Sequence, residues 1–211
     1  MLRKNLNYRK NNASKAEQKK GVITIMDKKW TTKEVVITAM LGAVVGVIFT
    51  LLDFAYMPLS AALGAVFMEI TFGIYMLGGA LPMYIVRKPG AGIFGALVAA
   101  LMNLLLGSPY GIQLIIANAC VGIGVELGFA LVQKYKGVLM NFVVAGIIAA
   151  ILQFIRDFIV FYGGSWQGFM APLLVVRILS GIFVTYVLVK LIAAALLKTG
   201  VLKGMACAKE E

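Results

Sequence analysis

Six apolar runs, each near the length of a membrane crossing, are joined by short connections of which only every other one carries Lys or Arg. The runs fall at about 35–54, 63–86, 91–106, 112–132, 138–161 and 169–197. Positive charge occupies the amino-terminal arm, Arg87 with Lys88, Lys134 with Lys136, and the tail with Lys198, Lys203 and Lys209. The connections 55–62, 107–111 and 162–168 carry none. Basic connections stay on the cytoplasmic side, and backbone polar groups in lipid must be satisfied within their own segment. The pattern therefore predicts an all-α integral membrane protein of the cell membrane, a six-transmembrane-helix bundle with both termini cytoplasmic.

The charge distribution sets the domains. The net charge of +11 raises the possibility of nucleic acid, but ten of the twenty Lys and Arg lie between Arg3 and Lys33, ahead of the first apolar run. Most others sit at helix ends, which is the placement topology requires, so no nucleic-acid partner is expected. Residues 1–33 read as a basic, disordered cytoplasmic arm, 34–198 as the membrane domain and 199–211 as a cytoplasmic tail. Met26 opens a segment that would start the chain sensibly, which reads the first 25 residues as an upstream extension.

Several chemistries are excluded by residue type. There is no histidine, and the two cysteines, Cys120 inside an apolar run and Cys207 in the tail, are not placed to form a disulfide. No metal site, cofactor or activated nucleophile is expected, and no phosphate-binding loop is present, so the chain does not hydrolyse ATP itself. An integral-membrane enzyme and a non-catalytic assembly partner remain as alternatives to a transport role.

Charge at membrane depth is costly, about 2.5 to 3.5 kcal/mol on insertion scales, so each such residue is a candidate for function. Asp53, Glu69, Asn103, Gln113, Asn118, Gln153, Arg156, Asp157 and Arg177 all fall in the half of the bundle away from the basic connections. A polar cluster there reads as a pocket open to the outside. The competing reading is that Arg156 and Arg177 neutralise Asp157, Asp53 or Glu69 and clamp helices together. Glu69, Phe72 and Tyr75 recur at spacings of three and present a carboxylate and two rings, which suits a cationic heteroaromatic ligand. Small residues at Ala39 and Ala43, and at Gly42 and Gly46, allow close helix approach, as do Ala96 with Ala100 and Gly124 with Gly128.

The stretch from Arg87 to Gly111, RKPGAGIFGALVAALMNLLLGSPYG, pairs a basic Pro-Gly corner with an uncharged Gly-Ser-Pro corner around one crossing. Together with Trp30-x-x-Lys33-Glu34 before the first run, it resembles the YkoE family, substrate-binding (S) components of energy-coupling factor (ECF) vitamin transporters. The resemblance covers roughly Met26 to the end and is strongest from Arg87 to Leu131. It implies thiamine or its hydroxymethylpyrimidine precursor as substrate, or another vitamin, and it implies a transmembrane T component and two cytosolic ATPase subunits as partners. It also implies docking of Ala39 and Ala43 on the T component. In this chain Asn103 stands where such relatives carry a carboxylate, which would suit a neutral pyrimidine or a different vitamin. On this reading Glu69 is the charged anchor, Asn103, Gln113 and Gln153 are hydrogen-bonding groups, and Tyr75 and Trp166 stack on the ring.

Overall fold

A computed structural model of the chain describes residues 29–63, 65–161 and 168–209. Among these residues the regular structure is entirely helical: α1 Thr32–Leu63, α2 Ala65–Tyr75, α3 Leu77–Val86, α4 Ala91–Leu105, α5 Gln113–Leu131, α6 Leu139–Val160 and α7 Met170–Lys198, with 3-10 turns at Gln133–Tyr135 and Ala206–Lys209. α4, α5, α6 and α7 coincide closely with the last four apolar runs, whereas α1 does not stop at residue 54: it continues to Leu63 with Pro58 inside it, so the connection expected at 55–62 is helical. Five segments are long and apolar enough to cross a membrane, and α4 is a shorter apolar helix of 15 residues. Trp166 and most of the basic arm lie outside the described residues.

The second run is two helices. Pro82 has no N–H to give the carbonyl of Gly78, and its ring crowds that carbonyl, so the helix tightens upstream. Gly79 and Ala80 both donate to the Met76 carbonyl, and α2 ends as α3 begins around that residue. α3 is buried along its whole length and touches α1, α4, α5 and α7. It forms a central post, around which α1, α4, α5, α6, α7 and α2 pack in sequence as a ring.

Close approach holds the ring together. A Cβ on Gly42 or Gly46 of α1 would sit 2.8 or 2.6 Å from the carbonyl oxygens of Gly95 or Ala99 on α4. On Gly124 or Gly128 of α5 it would fall 2.5 or 2.4 Å from the Cα of Ala149 or Ala145 on α6. Lipid gives no hydrophobic drive for helix association, so backbone proximity and dispersion must supply it. Ala96 and Ala100 are likewise fully buried inside the bundle, whereas Ala39 and Ala43 are half-buried. Large apolar side chains point outward instead: Met40, Val44, Leu51, Ile116 and Leu191 are all more than half exposed.

α2 and α3 follow one another as the two parts of a single span, and direction otherwise alternates from helix to helix, so the described connections fall at two ends. At the end with Thr32 and Lys198, Glu126 of α5 accepts from the backbone of Gly90 (2.8 Å) and Gly92 (3.2 Å), covering the open N–H groups at the start of α4. The Tyr135 hydroxyl donates to the same carboxylate at 3.1 Å. Burial and then the Glu126 charge push the Tyr135 phenol up to about 12. Lys88 pairs with Glu34 at 2.7 Å, and Lys33 donates to the Lys203 carbonyl at 2.7 Å. The residues after α7 fold back here, with Leu202, Met205 and Cys207 buried.

Candidate functional site

The opposite end holds the polar cluster, in two halves. The first is built on Asp53 of α1, which is 1% exposed. Its Oδ1 accepts from the Tyr75 hydroxyl at 2.6 Å, and its Oδ2 accepts from Asn103 Nδ2 at 2.8 Å and from Ser108 Oγ at 2.6 Å. Thr50, one turn before Asp53, has its hydroxyl 2.8 Å from Asn103 Oδ1. That contact engages the amide oxygen and leaves the amide nitrogen to face the carboxylate. All three donors to Asp53 are neutral, and among the described residues no Lys or Arg pairs with it.

The second half is a chain of ion pairs. Arg177 of α7 grips Glu69 of α2 through Nε (2.5 Å) and Nη2 (2.8 Å), and its Nη1 lies 2.8 Å from Asp157 Oδ2 of α6. Nη1 makes no well-directed hydrogen bond, so its contact with Asp157 is chiefly ionic. Arg156 Nη1 donates to Asp157 Oδ1 at 2.6 Å, and its Nη2 to Gln113 Oε1 at 3.1 Å. Both guanidinium groups stack on rings, Arg177 over Phe72 and Phe154 at 5.5 and 5.8 Å, Arg156 over Phe161 at 5.0 Å. The competing sequence reading of the two arginines is thus met for Glu69 and Asp157 and not for Asp53.

Between the halves lies a partly open cavity of about 150 Å³. Its walls combine Tyr56, Phe72, Tyr75, Tyr110 and Phe161 with Asp53, Asn118, Gln153, Arg156, Asp157 and Arg177. Tyr75 packs edge-on to Tyr56 with centroids 6.1 Å apart and lies 5.0 Å from Phe49, while the Tyr56 hydroxyl bonds that of Thr71. In the connection before α5, burial and then the Asp53 charge raise the Tyr110 phenol above its ordinary range. Three buried polar atoms of the lining residues have no hydrogen-bond partner: Arg177 Nη1, which meets Asp157 only as an ion pair, Gln153 Oε1 and Arg156 Nε. The arrangement can hold a flat ring between aromatic faces and offers a carboxylate on one side and idle donor and acceptor atoms on the other.

Of the residues expected from sequence, Tyr75 and Gln153 line this cavity. Glu69 stands behind Arg177, and Asn103, fully buried, stands behind Asp53. Gln113 contacts the cavity only through Arg156, and Trp166 is outside the described residues. Sequence reasoning placed Asp53 at the same end as the other polar residues but gave it no role beyond a candidate counter-charge for an arginine. The available signal is that Asp53 is the sole acidic residue between Glu34 and Glu69, alone in an apolar run. Ser108 was legible only as part of a corner, yet its hydroxyl serves Asp53.

Comparison with known proteins gives three matches. Residues 33–152 match a family described as ABC-type cobalt transport system, permease component. The chain is 32% identical over 184 residues to the putative HMP/thiamine permease protein YkoE of Bacillus subtilis (strain 168), a match covering 87% of this chain and 92% of that one. A solved crystal structure of an S-component of an ECF transporter superimposes with a TM-score of 0.80 at 33% identity, over 86% of this chain and 93% of that chain.

Proposed function

This chain belongs to the YkoE family of ECF-transporter S components, and on that premise we propose that its cavity captures thiamine or hydroxymethylpyrimidine from outside the cell for ATP-driven import. S components bind and transport; they are not enzymes. The observation that carries the substrate reading is the cavity itself, in which five aromatic side chains surround a small number of hydrogen-bonding groups. That is the composition a flat heteroaromatic molecule needs, with rings for its faces and polar atoms for its edges. The curated relative is named for HMP and thiamine, which supports the same class.

The cobalt in the family description suits this chain poorly. It contains no histidine, and among the described residues no three His, Cys, Asp or Glu side chains are grouped to hold a metal ion. The cavity carboxylates are instead taken up by guanidinium and hydroxyl groups.

Orientation follows from charge. Six crossings, counting α4, put Arg87, Lys88, Lys134, Lys136 and Lys198 at one end and leave the cavity at the other. By the positive-inside rule the cavity faces outward and both termini are cytoplasmic. Import then needs energy from a T component and two ATPase subunits. Ala39 and Ala43, half-buried on α1 beside exposed Met40 and Val44, form the face on which the T component docks. Within the site, Tyr75 stacks on the ligand, Gln153 bonds its edge, and Glu69, Asn103 and Gln113 act through Arg177, Asp53 and Arg156; Trp166, outside the described residues, keeps the ring-stacking role expected from sequence.

The test is titration calorimetry of the purified chain, without partners, against thiamine and hydroxymethylpyrimidine. Saturable 1:1 binding of either is expected. Absence of binding to both, by protein with an intact thermal transition, removes the substrate assignment.

A further inference from the structure

The charges around the cavity do not balance. Asp53, Glu69 and Asp157 face or back it, and so do Arg156 and Arg177. Both guanidinium groups are engaged in the half formed by Glu69 and Asp157, where two positive charges meet two negative ones. Asp53 is left over. It is almost completely buried, and it is held by three neutral donors. A buried carboxylate without a counter-charge is costly, and three hydrogen bonds offset that cost only in part.

The surroundings of Asp53 say what would complete it. Tyr75 bonds it directly, Tyr56 packs edge-on to Tyr75, and Tyr110 comes from the connection that also supplies Ser108. Tyrosine faces gathered beside a lone carboxylate form a cage for a cation whose charge is spread over a ring, since ring quadrupoles attract such a cation and desolvate it cheaply. Gln153 Oε1 and Arg156 Nε, both without partners, offer one acceptor and one donor to the ligand's other end. Arg156 has a side chain only 10% exposed, so its idle Nε cannot be served well by bulk water.

Resting on the substrate reading above, we propose that this cavity selects a monocation, an aromatic ring with a fixed positive charge joined to a neutral hydrogen-bonding ring, with Asp53 as the residue that reads the charge. Thiamine, whose thiazolium carries a permanent charge and whose aminopyrimidine presents a donor beside an acceptor, fits this description. Hydroxymethylpyrimidine has the neutral half alone and leaves Asp53 uncompensated, so it binds more weakly. Asn103 is the positioning partner: neutral, and bonded to Asp53, it keeps the local charge at one negative where a second carboxylate would make two.

The experiment compares thiamine with 3-deazathiamine, its uncharged isostere in which carbon replaces the thiazolium nitrogen, by calorimetry on the intact chain in detergent. Thiamine is expected to bind at least about tenfold more tightly. In Asp53→Asn, checked for an unchanged thermal transition, that ratio is expected to fall towards one, while Asp53→Glu keeps most of it. Equal affinity of the wild type for the two compounds overturns the charge reading and leaves the substrate reading standing. So does a folded Asp53→Asn that retains the full ratio. Binding of neither compound, nor of hydroxymethylpyrimidine, removes both. If Asp53→Asn does not fold, the wild-type ratio decides alone.

Discussion

Glu69→Gln separates a ligand contact from a brace. Glu69 meets Arg177 through two hydrogen bonds of 2.5 and 2.8 Å, and both side chains are about nine-tenths buried. Removing one partner from such a pair costs about 3 to 5 kcal/mol, because the surviving charge stays buried. Here Asp157 remains 2.8 Å from Arg177, so the lower figure, about 3 kcal/mol, applies. For a chain of this size each kcal/mol moves the midpoint by about 2 to 4 °C, which gives a fall of roughly 6 to 12 °C. The assay is thermal denaturation of the detergent-solubilised protein, run as a double-mutant cycle with Arg177→Met. The double variant leaves Asp157 paired with Arg156 and strands no charge, so it should be more stable than the sum of the single changes indicates, by 1 kcal/mol or more in coupling (~1–3). A Glu69→Gln protein with an unmoved midpoint and abolished thiamine binding would refute this reasoning and make Glu69 a direct ligand group.

Other outcomes follow from the same geometry. Tyr75→Phe keeps the ring and removes one of three donors to Asp53, so it should lower stability by about 1.5 kcal/mol in the same thermal assay. Gly128→Val places a Cβ 2.4 Å from Ala145 and should abolish a monodisperse peak on size exclusion, whereas Gly168→Ala, with nothing within 4 Å, should not. Burial, and then the Glu126 charge and hydrogen bond, hold the Tyr135 phenol at about 12 against an ordinary 10.0, so the stability carried by the neutral phenol is whole below pH 10 and lost as pH rises towards 12. Glu126→Gln should shift the Tyr135 absorbance titration, read as the difference from Tyr135→Phe, to lower pH. Single cysteines at the exposed Ile112 and at Lys136, in a Cys120→Ala and Cys207→Ala background, should react with an impermeant thiol reagent on intact cells at Ile112 only.

The apolar helices were legible, apart from the carboxyl end of α1 and the break between α2 and α3, because lipid imposes length and apolarity on the sequence itself. The polar cluster was legible as depth for the same reason. Partner choice was not, since it depends on how each helix is rotated. Glu69, Phe72 and Tyr75 recur at threes, yet each step of three falls about 60° short of a full turn, so Glu69 and Tyr75 diverge by about 120°. Glu69 accordingly turns to Arg177 on α7, Tyr75 to Asp53 on α1, and Phe72 lies between them facing the cavity. Asp53 and Asn103 meet across 50 residues of chain, and nothing local announces such a contact. Proline and glycine in the second run were visible, but their division of it into α2 and α3 depended on the burial of the lower half.

That central post has a consequence for how the chain is made. The segment Met68–Val86 is the least hydropathic of the five long spans and the most enclosed by protein. When it leaves the ribosome, only α1 of its four neighbours has been synthesised; α4 and α5 come later, and α7 and the folded-back Ala206–Lys209 last of all. The weakest insertion signal therefore belongs to the span whose shell arrives latest. Until translation ends, its Gly- and Pro-bearing lower half must shelter beside the insertion machinery or in bare lipid. A nascent chain stopped before α7 would present the quality-control proteases of the membrane with an uncovered core, so biosynthesis is closed from the carboxyl end.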